Sequence, residues 1–508
     1  MSRTIVLDGS SLTLDDVHAV AVDGARVGIA DASRDRSDRS RSIVERLAAS
    51  GDAVYGVTTG FGKLSDIAIP PDRLRELQVN LVRSHAAGVG PPLSIAETRA
   101  MMLLRANVLA KGFSGARSVL AERLVAMLNA AIHPVVPEQG SCGASGDLAP
   151  LSHLALAIIG EGDVHGDPGP TPAREAFARA GIEPTPLEAK EGISLINGTQ
   201  AHTGIAALVL IGARRLWHAA HVAGAMTLEA LRGTPVAFDD RIHAARGQRG
   251  QRRSAALLRD LLADSEIRES HRENDPRVQD AYSLRCMPQV HGAALDALEF
   301  TAGIVAREIN AATDNPLVFE SGEILSGGNF HGQPVAMALD VMAIALTHLA
   351  VIAERRIDRL VNPDLNEGLP PFLAAEAGVN SGYMMAQVTA AALTSECKVL
   401  AHPSSVDSIP TDGGKEDVVP MAMGAAWKAR RILANVQNVI AIELMCAAQG
   451  VDYRAPLRPG NGVAAAHRLV RQRVATLGAD RMLAPDIMTL ARAVAAGEFG
   501  ETAFEGAA

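Results

Sequence analysis

Three stretches of this chain gather side chains that could do chemistry. In GSCGASGDLAPLSH (140–153) small residues run straight into an apolar helical stretch. Read alone, it is a small-residue loop capping a helix, with Ser145 or Asp147 as the N-cap. Its glycines fall as GxxGxxG with no Val/Ile-rich strand ahead of them, so it is no dinucleotide fingerprint. Neither a GxxxxGK[ST] loop nor a GxSxG elbow occurs in the chain. YGVTTGFGK (55–63) places Tyr55, one of four tyrosines, in a flexible Gly/Thr loop. Its ring is either packed or held where backbone can approach a ligand closely. QDAYSLRCMPQVHG (279–292) sets Tyr282 beside Arg285. Such an Arg is either a surface charge or, facing a cleft, a bidentate carboxylate holder that Lys cannot match. His218 and His221 stand three apart, but no third ligand at telling spacing joins them. They read as a satisfied pair, and no metal site is assigned.

Helices must position these residues. Alanine and leucine dominate, and both are strong helix formers. A short strand is expected at Thr4–Leu7, then a helix capped by Thr13 and a second ending near Gly51. Residues 52–69 read as irregular. Pro70-Pro71-Asp72 opens a helix carrying Leu74, Leu77 and Leu81 at three- and four-residue spacing. Further helices are expected at 95–110, 116–132 and Leu148–Ile159, followed by a Gly/Pro loop to Pro170. Long Ala/Leu/Val/Met runs at 200–231, 290–312, 333–361, 381–401 and 421–449 predict a central bundle. Polar linkers separate them at 232–280, 313–332, 362–380 and 402–420. The expected organisation is a mixed N-terminal domain over 1–200 and a mostly helical remainder over 201–508.

Composition narrows the function classes. Lys+Arg is 48 against Asp+Glu 57, a net charge of −9, which argues against a nucleic-acid partner. The basic run GQRGQRRS (247–254) reads as a solvated face. Hydrophobic residues at 48% and charged residues at 21% exclude a disordered chain. Aromatic residues at 3% argue against both base-stacking platforms and a β-sandwich. Four cysteines without a CxxC pair suit a reducing, cytoplasmic compartment. No targeting segment is read at the acid-bearing N-terminus. The most apolar stretch, Val335 to Ala353, contains Asp340, Thr347 and His348. It is expected to be a buried helix rather than a membrane span.

Taken together, the stretches above resemble the aromatic amino acid ammonia-lyases. The resemblance is carried by YGVTTGFGKL (55–64), LQVNLVRSHAAGVG (77–90), GSCGASGDLAPLSHLAL (140–156), EGISLINGTQA (191–201), QDAYSLRCMPQV (279–290), TDNPL (313–317), GGNFHGQPVAMALD (327–340), NSGYMMAQVTAAAL (380–393) and SVDSIPTDGGKED (405–417), in that order. It implies a mainly α, fumarase/ammonia-lyase-like fold. It also implies a cofactor made from the chain itself: Ala144, Ser145 and Gly146 cyclise with loss of two waters to 4-methylidene-imidazole-5-one (MIO), and no external cofactor is needed. The residue types suit this, because the Gly146 nitrogen must reach the Ala144 carbonyl without a bulky Cβ in the way. The Ser145 hydroxyl is the group that leaves.

The resemblance also assigns roles. Tyr55 becomes the base that takes a β-proton, which requires its pKa to fall from about 10. Arg285 holds the substrate carboxylate. Asn197, Gln279, Tyr282, Asn315 and Phe330 match positions that support the cofactor or the substrate. Ser84-His85 and Glu416 match the histidine-acting members, where the acid reads a polar imidazole through a charge-assisted hydrogen bond. The implied reaction is elimination of ammonia from histidine to give urocanate. The alternative is a lyase or aminomutase acting on tyrosine, phenylalanine or a modified histidine. Homotetramers whose subunits share active sites are implied, with neither membrane nor nucleic acid involved. Cys142, Lys415 and Val418 depart from the residues usual in the family, as do Met287, His291 and Gln333.

Overall fold

The computed structural model describes residues 4–50 and 53–500. The fold is mainly α. Among the described residues, strands are confined to short two-stranded pieces, such as the parallel pair Ile5–Leu7 with Val27–Ile29 in register Ile5↔Val27. Compact packing divides the chain into two units. One comprises Met1–Leu208, Ala302–Asp340 and Pro403–Trp427, the other Val209–Thr301, Val341–His402 and Lys428–Ala508.

In the first unit, local chemistry sets the helix ends. Helix α1 (Leu14–Ala21) starts at a Thr13/Asp16 capping box. The next helix, over Asp31–Ser50, was expected to end near Gly51, which lies outside the described residues. A 3₁₀ turn at Pro71–Arg73 leads into α2 (Leu74–His85), which buries Leu74 and Leu81 as the spacing predicts. Ser94 and Glu97 form a second capping box for α3 (Ile95–Lys111), which stops at left-handed Gly112. Helix α4 (Leu148–Ile158) follows the Gly/Ala/Ser run.

The five long runs are five long helices: α5 (Gln200–Ala230), α6 (Met287–Glu308), α7 (Gln333–Val361), α8 (Met384–Leu400) and α9 (Ala422–Asp452). Helices α7 and α9 are long and apolar enough to cross a membrane, but 72% and 78% of their most apolar windows are buried. They are core helices. One face of α7 stays uncovered: Met337, Val341, Ile344 and His348 are exposed at alternating four- and three-residue steps. Met385, Val388 and Val399 on α8 are exposed too.

Polar groups pin the second unit's core. Arg356 on α7 and Glu443 on α9 form a fully buried ion pair, with Nη2 and Oε2 2.8 Å apart. Thr227 on α5 adds a 2.9 Å hydrogen bond to Glu443. His221 is satisfied at both ring nitrogens, by the Trp217 carbonyl at 2.8 Å and Ser254 at 2.7 Å. Removing one member of a buried ion pair strands the other in a low-dielectric core. Glu443→Gln is therefore expected to lower unfolding stability by about 3–5 kcal/mol, read from chemical denaturation. Replacing Arg356 and Glu443 together with apolar residues of similar volume is expected to cost less.

Candidate active site

The Ala144–Ser145–Gly146 turn is shaped by what cannot fit. Gly146 has φ +74°, and a Cβ there would lie 2.2 Å from the Gly198 carbonyl oxygen. Only glycine meets both conditions. Gly143, at φ +82°, and Ala144 both bridge to Gly146, so the chain doubles back on itself at Ser145. The Gly198 carbonyl accepts the Asp147 N–H at 2.7 Å, and Asn197 Nδ2 donates to the Ser145 carbonyl at 2.7 Å. The segment 197–198 thus clamps the turn from one side.

Asp147 stands at the N-cap of α4, as the sequence suggests, but its side chain does not cap that helix. It turns instead to the first turn of α5. Its Oδ2 accepts the N–H groups of Ala201 at 2.9 Å and His202 at 3.0 Å. The His202 ring and the Ser141 hydroxyl, each 2.9 Å away, complete its shell. Burial alone would push this carboxyl up, but the His202 ring and the hydrogen bonds hold it below the usual carboxylate value. Behind the clamp, fully buried Arg105 donates to the carbonyls of Ser194 at 2.7 Å and Asn197 at 3.0 Å, and to the Gln200 side chain. Burial pulls Arg105 down to about 10.

A cavity of about 1360 Å³ opens beside Ser145. Tyr55, His85, Ala144, Ser145, Asn197, Asn315, Phe330 and Glu416 all line it. The two polar linkers at 313–332 and 402–420 supply Asn315, Phe330 and Glu416, and α2 supplies His85. The Glu416 carboxylate accepts from the Ser145 hydroxyl on one oxygen and from the Thr411 hydroxyl on the other. Asn315 accepts the Gly327 N–H at 2.7 Å and donates to Ser326 at 3.1 Å, which fixes its orientation. His85 Nδ1 lies 2.9 Å from the Leu81 carbonyl. A carbonyl can only accept, so Nδ1 carries the proton and Nε2 of the neutral ring is an acceptor. Burial lowers the His85 pKa and keeps the ring neutral.

Tyr55 shows the opposite of the lowered pKa that a base requires. Burial pushes its phenol up, and Asp412 and Glu416 add to the rise; the Gly62 backbone hydrogen bond alone opposes them. Gln279, Tyr282 and Arg285 belong to the second unit and are not among the residues lining this cavity. Tyr282 is 70% exposed with the Arg285 guanidinium 4.6 Å over its ring, and Arg285 Nε finds no hydrogen-bond partner. The structure adds two residues that sequence reasoning does not single out: Thr411, which holds Glu416, and Asp412, which lines the cavity with Lys415, the residue already marked as a departure. All three lie within the quoted segment 405–417, but no periodicity shows that this segment folds back on itself.

A family profile described as aromatic amino acid lyase matches residues 12–472. The chain is 57% identical over 501 residues to the histidine ammonia-lyase of Anaeromyxobacter dehalogenans (strain 2CP-C), covering 97% of this chain and 98% of that one. Among solved structures, it is similar to the histidine ammonia-lyase from Trypanosoma cruzi, with TM-score 0.91 at 41% identity over 99% of this chain and 97% of the other. It is also similar to the tyrosine aminomutase from Streptomyces globisporus, with TM-score 0.93 at 41% identity over 98% of each.

The Asp147 shell makes a pH prediction. The folded-state pKa lies below the unfolded one, so the stabilisation is complete above about pH 4. It is lost as pH falls toward the folded value. Asp147→Asn is expected to reduce unfolding stability by about 3 kcal/mol at neutral pH. The gap from wild type should narrow below about pH 4, measured by denaturant titration across pH.

Proposed function

The chain belongs to the aromatic amino acid lyase family, and on that footing we propose that it eliminates ammonia from L-histidine to give urocanate. The observation that carries the substrate is Glu416, whose carboxylate is held in the cavity by Thr411 and reaches Ser145. Placed there beside neutral His85, it suits an imidazole that can donate a hydrogen bond. Against a phenyl ring it would be a part-buried charge with no partner on the substrate. Near-full-length identity to histidine ammonia-lyases supports the same reading.

The residues at 144–146 fit an MIO group. The space at Gly146 admits no Cβ, and the turn brings Gly146 back against Ala144. Once formed, the group would supply an electrophilic methylene to the substrate amine. Asn197 would polarise the carbonyl of Ser145, and Asp147 would hold the turn on the start of α5. Tyr55 takes the β-proton, His85 and Glu416 orient the side chain, and Asn315 and Phe330 complete the wall.

The remaining three residues come from a neighbouring copy in this reading. Gln279 and Tyr282 are exposed, and the Arg285 guanidinium over the Tyr282 ring is the group that would hold a substrate carboxylate. Positive charge from Arg285 would lower the Tyr55 phenol, as a single chain does not. The uncovered stripe on α7 has heptad spacing suited to helix pairing, which supports a homotetramer. Four free cysteines suit a reducing cytoplasm. A second reading, an aminomutase that re-adds ammonia at the β-carbon, draws on the likeness to tyrosine aminomutase.

The deciding experiment screens amino acids for ammonia release and identifies the product. Urocanate from L-histidine is the expected result, and a β-amino acid would favour the second reading. Intact mass should fall two waters short of the encoded mass, and Ser145→Ala should restore the difference. Glu416→Gln keeps the shape and removes the charge. It is expected to cost roughly 10- to 150-fold in kcat/KM for histidine, with a smaller loss or a gain for tyrosine and phenylalanine.

A further inference from the structure

Two cavity turns, Gly62–Leu64 and Asp412–Gly414, interlock. Gly62 sits at φ +54° with the Asp412 carboxylate directly against it: a Cβ there would lie 2.3 Å from Oδ2. Gly413 sits at φ +59° against the Lys63 stem, where a Cβ would meet Cγ at 3.3 Å. Each turn thus offers a left-handed glycine to the other's side chain. Asp412 itself takes φ +48°, a conformation uncommon for a residue with a Cβ. From there Oδ1 accepts the Lys63 N–H at 3.2 Å.

The clip joins two working groups. On one side, the Gly62 backbone hydrogen-bonds the Tyr55 phenol. That loop is pinned at its base by Gly60 N–H to the Ile67 carbonyl and Ile69 N–H to the Thr58 carbonyl, both 2.9 Å. On the other side, the Asp412 turn is closed by the Thr411 N–H donating to the Glu416 carbonyl at 2.9 Å and by the Thr411 hydroxyl on the Glu416 carboxylate. A continuous chain of contacts therefore runs from the Tyr55 oxygen through Gly62, Lys63 and Asp412 to Glu416.

We propose that Asp412 is a positioning residue that clips the Tyr55 loop to the Glu416 turn, fixing the proton-taking phenol relative to the carboxylate that reads the substrate side chain. This rests on the roles given above to Tyr55 and Glu416. The clip has an electrostatic side. Tyr55 and His85 both face the carboxylates of Asp412 and Glu416, while Lys415 lines the same cavity. Asp412 therefore holds the phenol in place while opposing its ionisation.

The test uses the full-length assembled enzyme with L-histidine, comparing Asp412→Ala, Asp412→Asn and Gly62→Ala with wild type. Intact mass first checks that each variant still loses two waters. Asp412→Ala removes the acceptor. Amides of residues 60–67 should exchange about 10-fold faster, and kcat should fall about 10- to 100-fold with KM little changed. Gly62→Ala should reproduce both effects by pushing the carboxylate off Lys63. Asp412→Asn keeps an acceptor oxygen, so exchange should stay near wild type. The ascending limb of its pH–rate profile should move to lower pH, because the charge facing Tyr55 is gone. Loop exchange and kcat both within about twofold of wild type in Asp412→Ala would overturn the clip, as would a loss of kcat without faster exchange. An unmoved ascending limb in Asp412→Asn would overturn its coupling to Tyr55. Tyr55→Phe run alongside separates the two levels. Near-normal turnover there removes the base assignment, while loop exchange in Asp412→Ala still decides whether the clip exists.

Discussion

Between Gly146 and Gly198 the backbone leaves no room for a methyl group, and the rest of the site is arranged around that closeness. A Cβ on Gly146 would meet the Gly198 carbonyl at 2.2 Å, and one on Gly198 would meet the Arg105 guanidinium at 2.1 Å. The contact is thus three layers deep: the Ala144–Gly146 turn, a clamping segment and a buried cation behind it. Each layer satisfies hydrogen bonds that the one in front leaves open. The Gly198 carbonyl takes the Asp147 N–H, and Arg105 takes the carbonyls of Ser194 and Asn197. Burying Arg105 is costly, and its pKa falls to about 10. That cost makes sense only where a backbone segment must be held to a fraction of an ångström.

Asp147 extends this logic to the scaffold. Its carboxylate sits at the start of a 31-residue helix, where the free N–H groups of the first turn favour negative charge. The helix positions the turn, and the turn completes the helix end. Local substitution in either is therefore felt in both. The clamp and the Asp147 shell all lie in the first unit, as does every residue lining the cavity.

Much of this was legible in the sequence, for particular reasons. The run 333–361 has a strong helical pattern with few breakers and folds as Gln333–Val361. Thr13 and Pro71 mark helix starts because capping and proline chemistry are local. The cavity residues Tyr55, His85, Asn197, Asn315, Phe330 and Glu416 could be assembled because the resemblance supplied long-range order that local pattern lacks. What stayed hidden was tertiary. Asp147 reads as the cap of its own helix but caps another. Asp412 and Thr411 look like ordinary turn residues until the turn is seen to pack on Gly62. The raised Tyr55 phenol could not be read, since it comes first from burial in the folded chain and then from carboxylates more than 350 positions away.

The uncovered stripe on α7 also concerns the life of a newly made chain. Met337, Val341 and Ile344 present apolar surface to water, as do Met385, Val388 and Val399 on α8. Exposed apolar surface of this kind is what chaperones bind and what drives aggregation. If the pairing of copies proposed above covers them, each new chain competes between association and triage. The outcome depends on how many chains are present, because association is second order and capture by quality control is not. Under that pairing, abundance of the finished protein should rise more steeply than its rate of synthesis, a threshold set by a helix face far in sequence from the Ala144–Gly146 turn.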